Sequence, residues 1–326
     1  MGVNFRWLVN AGLLILPVGT TIGVLMGVDS HRQATGQEPI FNNPGTGTPG
    51  TGGGGNGNKN DDRVTTHVFC DKQVGFSPPS HGVEFMLNPN QWGYTDGEPG
   101  SMCMNITSFN NGTYSTPATA PPFTVTWAYP PGPESQPVHA FPNVQVRTGL
   151  PVLLSSIKTI AIATSWTYSV GDTPSTTTDK AAMDANLVNT NVAIDIFLDA
   201  DQKAAENSSL ANYEVMVWFA KFGSAAQPIG GNKGAVATES INGTNFNLFT
   251  GKNSLLQNVL TWATTTPTET FYGDIAPLLM KLDTIPKANF TSAGLSIGHL
   301  GMGSEAFSAT KNVTFSMPLL SVDIGV

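Results

Sequence analysis

The sequence predicts an all-β fold, a sandwich or jelly roll with one packed helix. Three observations carry that reading. Short runs rich in Val, Ile, Thr and aromatic residues recur from residue 83 to the end. Turn formers separate them: Asn-Gly at 111–112 and 242–243, Pro-Pro at 121–122 and 130–131, and Gly-Gly at 230–231. Only 12% of the 326 residues are charged, and Thr, Ser, Asn, Gly and Pro abound, which suits a secreted β protein better than a cytosolic helical one.

The chain opens on Leu8–Val28, an uncharged stretch behind Arg6. It is longer than the apolar core of a cleaved signal, roughly 7–15 residues. It is near the roughly 20 residues that span a bilayer. Pro17, Gly19, Thr20 and Thr21 interrupt it, and no good small-x-small cleavage site follows. Residues 1–28 are therefore read as a signal peptide or a signal anchor, with Arg6 keeping its end cytoplasmic. Either way the remainder lies outside the cytosol, secreted or tethered to the outer face of the membrane. Residues 29–63 are rich in Gly, Pro, Thr and Asn, cannot bury a core, and read as a flexible linker. The folded domain is placed at 64–326.

Within it, strands are predicted at Val83–Leu87, Met102–Ser108, Phe123–Tyr129, Val144–Arg147, Thr159–Tyr168, Asn191–Leu198, Tyr213–Phe219, Val236–Ile241, Asn245–Thr250, Leu255–Ala263, Leu295–Phe307 and Val313–Ile324. One helix is predicted where Ile275, Leu278, Leu279 and Leu282 recur with helical spacing. Asp274 is its cap, Pro277 falls in its first turn, and it is expected to cover the outer sheet.

Composition excludes some functions. The formal charge is −8 and Lys and Arg are scattered, so nucleic acid is not an expected partner. The five His are isolated and no Cys or His cluster has metal-ligand spacing, so neither a metal nor a cofactor is expected. The two cysteines, Cys70 and Cys103, suggest one disulfide closing a loop of roughly 30 residues, worth on the order of 3 kcal/mol. Asn-x-Ser/Thr sequons stand at Asn105, Asn111, Asn207, Asn242, Asn289 and Asn312, which points to a glycoprotein.

The chemistry is expected at two acids. In Tyr213–Phe219 a strand puts Tyr213, Val215, Val217 and Phe219 on a core face and Glu214, Met216 and Trp218 on the other. A Glu between a thioether and an indole is poorly hydrated, so its burial needs partners or a use. Glu305 is a second lone acid, in Gly303-Ser304-Glu305-Ala306-Phe307. Two such acids facing one groove are what glycoside hydrolysis requires. Asp195 is the only charge in Val192–Leu198, with Val192, Ile194, Ile196 and Leu198 turned to the opposite face.

These residues resemble a known family. Tyr213-Glu214-Val215-Met216-Val217-Trp218 resembles the nucleophile strand of glycoside hydrolase family 12, whose members are endo-β-1,4-glucanases and xyloglucanases. Gly303-Ser304-Glu305-Ala306-Phe307 is similar to its Gly-Thr-Glu-Pro-Phe acid/base segment. Cys70-Asp71, Asn90-Gln91-Trp92-Gly93, Ala140-Phe141-Pro142-Asn143 and Val192-Ala193-Ile194-Asp195-Ile196-Phe197 resemble further family segments in the same order.

The resemblance implies a jelly roll of two antiparallel sheets with a concave substrate cleft, and a retaining mechanism. Glu214 would be the nucleophile and Glu305 the acid/base, with carboxyls roughly 5–5.5 Å apart. Glu305 would carry a raised pKa. Asp195 would hydrogen-bond Glu214, and Met216 would line the site beside it. Trp92, Trp127, Asn143 and Phe246 match positions expected to bind substrate. The partner implied is a β-glucan polysaccharide, either cellulose-like, mixed-linkage or xyloglucan, and the chain is read as a monomer.

Departures from the family pattern carry their own expectations. Gln73 stands where an aromatic is frequent, Ala306 where Pro is usual, and Phe246 where Trp is common. Ala306 is expected to loosen the acid/base strand. Longer segments at Asp172–Asn186 and Ser224–Lys233 are expected to border the cleft. Two competing readings remain at this stage. One is a non-catalytic glycan-binding or wall-loosening jelly roll. The other is an acid peptidase, whose Glu–Gln pair is not found in matching strands.

Overall fold

The computed structural model describes residues 64–72 and 75–326. The signal or anchor segment, the linker and Gln73 lie outside the described residues. No helix among the described residues is long and apolar enough to cross a membrane.

Two sheets form the domain. The smaller contains β1 (Val64–Phe69), β3 (Ser101–Phe109), β4 (Phe123–Ala128), β16 (Val313–Gly325), β7 (Thr159–Val170) and β13 (Thr270–Asp274), side by side in that order. The larger runs β10 (Ala237–Ile241), β11 (Thr244–Lys252), β12 (Asn258–Thr264), β9 (Tyr213–Phe222), β8 (Asn189–Asp199), β14 (Ser296–Gly303), β5 (Asn143–Val146) and β2 (Phe85–Asn88). β15 (Ala306–Ser308) pairs with β8, and β6 (Val152–Leu153) with β14.

Between the sheets lies one apolar core that includes Trp127, Trp166, Tyr168, Phe219, Phe246, Trp262 and Phe315. The alternation in β4 shows why these strands form: Phe123, Val125 and Trp127 turn inward while Thr124 and Thr126 turn outward. The Cys70–Cys103 disulfide is formed, tying the end of β1 to its neighbour β3 across a separation of 33 residues.

Each predicted strand has a counterpart, with informative differences. The sheets are not wholly antiparallel, because β12 pairs with β9 in parallel. The chain leaves β9 at Phe222, crosses back through residues 223–236, and then builds β10, β11 and β12 as a meander toward β9. A parallel pair needs a long return connection of this kind. The predicted strand Leu295–Phe307 is broken at Ser304-Glu305 into β14 and β15. β16 shifts register between Ser316 and Leu319, where Pro318 has no N–H to donate. β1, β6 and β13 were not anticipated, being short or mixed in polarity.

The predicted helix is α3 (Ala276–Lys281); α1 (Lys180–Ala185) and α2 (Gln202–Ala205) are short companions. The N-cap is Ile275 rather than Asp274. Asp274, one residue earlier, still accepts the Ala276 N–H on Oδ1 at 2.9 Å and ties the helix start to β7 through the Ile160 N–H at 2.7 Å. Ile275, Leu278, Leu279 and Leu282 join the core. The helix touches both layers, since Trp262 of the larger sheet donates Nε1–H to the Leu278 carbonyl at 3.1 Å.

Candidate active site

The larger sheet has a second face, turned away from the core. In β9, Val215, Val217 and Phe219 are core residues, which puts Glu214, Met216 and Trp218 on that outer face. In β8, Val192, Ile194, Ile196 and Leu198 are core residues, so Asn191, Ala193, Asp195 and Phe197 face outward. Register then builds rows across the strands. One row reads Gln145, Gly301, Asp195, Met216, Thr261, Phe249. The next reads His299, Phe197, Glu214, Val259. On the other side comes Asn143, Gly303, Ala193, Trp218, Ala263. Glu305 follows Gly303 at the end of β14, beside Asn191.

Gly301 and Gly303 keep this floor shallow next to Asp195. A Cβ on Gly303 would meet the Pro142 carbonyl oxygen at 2.0 Å, so no side chain fits there. The break after Gly303 is what projects Glu305. Asn191 Oδ1 accepts the Glu305 N–H at 3.0 Å in place of a ladder partner, and its Nδ2 donates to the Glu305 carboxylate. Beneath, the buried Ser304 hydroxyl bonds with Tyr168 Oη at 2.6 Å and Thr190 Oγ1 at 2.9 Å. Ala306 strengthens this segment rather than loosening it. Its N–H donates to the Ala140 carbonyl at 2.9 Å, a bond that Pro could not make.

Burial dominates the electrostatics. It pushes Glu214 up to about 7, against the opposing effect of a hydrogen bond donated by Asn253 Nδ2 at 3.1 Å. Glu305 is also pushed up to about 7, first by burial and then by the charge of Glu214, with the Asn191 bond opposing both. Asp195 is raised well above the usual carboxylate range by burial and by the fields of Glu214 and Glu305. Its Oδ1 is buried without a hydrogen-bond partner. Three acids thus share one field. All three are pushed toward the protonated form, first by burial. Such a set offers an anion and a proton donor side by side. Asn253, rather than Asp195, supplies the hydrogen bond on Glu214.

The other expected residues divide. Trp92 is 56% exposed on the loop after β2, free to meet a ligand. Asn143 lies on the outer face, buried, with Nδ2 donating to the Phe141 carbonyl at 2.7 Å. Met216 is on the floor as expected, accepting the Trp218 Nε1–H on its sulfur at 3.4 Å. Trp127 is not a cleft residue. It is 1% exposed in the core of the smaller sheet, where its Nε1–H donates to Tyr168 Oη at 3.2 Å. Phe246 is likewise a core residue, fully buried against Phe219 and Phe271. The outward aromatic of its strand is Phe249, which packs beside Met216 and Trp218. Of the two longer segments, 224–233 places Ala226 against Phe307 and Val138, next to the Glu305 loop.

Asn191, Asn253 and His299 escaped the sequence reading. Asn191 carries a signal, since period two puts it on the Asp195 face. His299 stands in the Glu214 row with Nδ1 at 3.0 Å from Gln145 Nε2, and burial and the Arg147 charge push it down to about 4. Asn253 sits in a turn and carries no local signal. Among the described residues no group of acids, His or Cys could hold a metal ion.

Comparisons with known proteins converge on one family. The model described as "Glycosyl hydrolase family 12" matches residues 83–325. A xyloglucan-specific endo-beta-1,4-glucanase A of Emericella nidulans is 27% identical over 244 residues, 74% of this chain and 85% of that protein. Endoglucanase 3 of Trichoderma harzianum superposes with a TM-score of 0.62 at 20% identity, over 80% of this chain and 98% of that one. A family 12 xyloglucanase from Bacillus licheniformis gives a TM-score of 0.58 at 17% identity, over 79% and 100%. The two structures bear on the fold, a jelly roll.

Proposed function

The chain belongs to glycosyl hydrolase family 12, and on that premise we propose that it is a retaining, endo-acting β-1,4-glucanase with Glu214 as nucleophile and Glu305 as acid/base. The observation that supports the assignment is that Glu305, remote in sequence from Glu214, is held by Asn191 of the neighbouring strand β8 and is raised by burial and then by the charge of Glu214.

In the first step Glu214 attacks the anomeric carbon as the bond to the leaving oxygen breaks. Glu305 gives its proton to that oxygen. In the second, Glu305 takes a proton from water, the oxygen of which attacks the same carbon and releases Glu214. Asp195 is raised by burial first and then by the fields of Glu214 and Glu305, which disfavours a further negative charge beside the two acids. Trp92 and Phe249 offer ring faces to sugar C–H groups.

Xyloglucan is the substrate class this reading favours, because the similar fungal proteins are named as xyloglucan-specific. Cellulose-like and mixed-linkage glucans are the alternatives within the same chemistry. An extracellular setting goes with it, since a disulfide suits an oxidising compartment.

The test is to incubate the protein with xyloglucan, mixed-linkage β-glucan and carboxymethylcellulose in parallel. Reducing ends are counted, and the anomer first formed is read by proton NMR. Rapid loss of viscosity with a β-configured first product is expected. An α-configured product would overturn the retaining mechanism, and no reducing ends on any of the three would overturn the activity.

A further inference from the structure

Glu214 is held from outside its own strand. Asn253 stands in the turn between β11 and β12, and its Oδ1 accepts the N–H groups of Leu255 and Gln257, both at 3.1 Å. That contact decides which end of the carboxamide faces the turn. Nδ2 points the other way and donates to Glu214 Oε2 at 3.1 Å and to Gln257 Oε1 at 2.7 Å.

Gln257 is buried, and its Nε2 donates to the carbonyls of Ser208 and Ala211 at 2.8 and 2.7 Å. Those carbonyls belong to the segment that leads into β9 and Glu214. Every side-chain N–H of both amides is therefore engaged, which leaves neither free to flip. Leu256 closes the turn at a φ of 65°, a conformation a leucine keeps only where its surroundings impose it.

We propose that Asn253, locked by Gln257, is a positioning residue that fixes the Glu214 carboxylate for attack on the anomeric carbon. The inference rests on Glu214 being the nucleophile. Among the described residues no other side chain hydrogen-bonds Glu214, so with Oε2 held by Asn253 the oxygen left to react is Oε1. A lone pair of Oε1 forms the bond to the anomeric carbon while the old bond's electron pair leaves with the departing oxygen, which takes the Glu305 proton. Oε2 then becomes the carbonyl oxygen of the glycosyl ester and still accepts from Nδ2. Holding one oxygen removes a rotation that would otherwise be lost on reaching the transition state.

The same donor favours the ionised carboxylate. It acts against burial, which raises Glu214. The titratable groups around Glu214 are Asp195 on β8, Glu305 at the end of β14 and His299 one strand beyond Phe197. β12 presents the uncharged Val259 and Thr261.

Asn253→Ser separates this role from turn-building, because serine still offers an oxygen to the turn amides and adds no charge, while its shorter side chain has no second arm in place of the Nδ2 that donates to Glu214. The expected result is a kcat lowered about 10- to 100-fold with KM little changed. The acid limb of the pH profile should move to higher pH. The Glu214 carboxyl, followed by carbon-13 NMR without substrate, should titrate roughly one unit higher. Asn253→Asp keeps the turn but sets an anion against Glu214, and should shift both readouts further in the same direction. Wild-type kcat and an unmoved Glu214 titration in both variants would overturn the proposal. Wild-type protein that releases no reducing ends would instead overturn its premise, even if the titration moved as expected.

Discussion

Asn191 grips Glu305 at two points: its Nδ2 donates to the carboxylate and its Oδ1 accepts the Glu305 backbone N–H at 3.0 Å. The pair explains how an acid can project from a break in a strand without being left loose. It also favours the Glu305 anion, against the upward push of burial. Asn191→Ala should therefore raise the Glu305 pKa and free its side chain. The expected outcome is a basic limb of kcat/KM displaced to higher pH, with kcat lowered about 10-fold or more. A pH–rate series across that limb, wild type against variant, checks both.

The two acids should differ in how their loss depends on the leaving group. Glu214→Gln removes the attacking oxygen anion, so every substrate should slow by about a thousandfold or more. Binding of an oligosaccharide, measured by calorimetry, should persist. Glu305→Ala removes the proton donor and should cost about 10²- to 10⁴-fold on a polysaccharide. On an aryl glycoside whose leaving group needs no proton, the first step should be largely spared. Equal losses on both substrate types in Glu305→Ala would reverse the assignment of roles.

Stability should carry the same signature. Glu214 and Glu305 hold their protons up to about 7 in the fold, against an ordinary value of 4.5. Between these values the native state binds protons that the unfolded chain has released. Their contribution is therefore fully present below 4.5 and is lost as pH rises through 7. His299, pushed down to about 4 from 6.5, works the other way and costs stability as pH falls through that window. Comparison of wild type with the Glu214→Gln, Glu305→Gln double variant isolates the acids. The variant should show the greater melting temperature at about pH 8, and the gap should shrink toward about pH 4.

How much of this was legible in the sequence depended on whether a property was local. Strand alternation is local, and it put Glu214 and Met216 on one face and Asp195 opposite four core residues. A family position fixes the place in the chain but not the face of the strand. Trp127 alternates with Phe123 and Val125 as part of an inward set, and Phe246 pairs with Leu248 in the same way, so both could have been read as core. Other features are set only by folding. The parallel join of β12 to β9 depends on a return crossover. The Asn253–Glu214 contact joins residues 39 apart through a turn that looks ordinary in the sequence.

Trp127 and Trp92 provide the last contrast, because the resemblance treats both as sugar platforms and the structure separates them. Trp127 lies behind the acid/base loop: its Nε1–H bonds Tyr168 Oη, which in turn bonds the hydroxyl of Ser304, the residue before Glu305. Trp127→Phe should leave a cavity and an unpaired hydroxyl network, costing about 2 kcal/mol. That corresponds to a melting temperature lower by roughly 4–8 °C, with KM unchanged. Trp92 is exposed, so Trp92→Ala should leave stability within about 0.5 kcal/mol of wild type while raising KM about tenfold through the lost ring face. Thermal melts and initial-rate kinetics on the same two proteins decide it: a raised KM in Trp127→Phe without loss of stability would return that indole to the cleft.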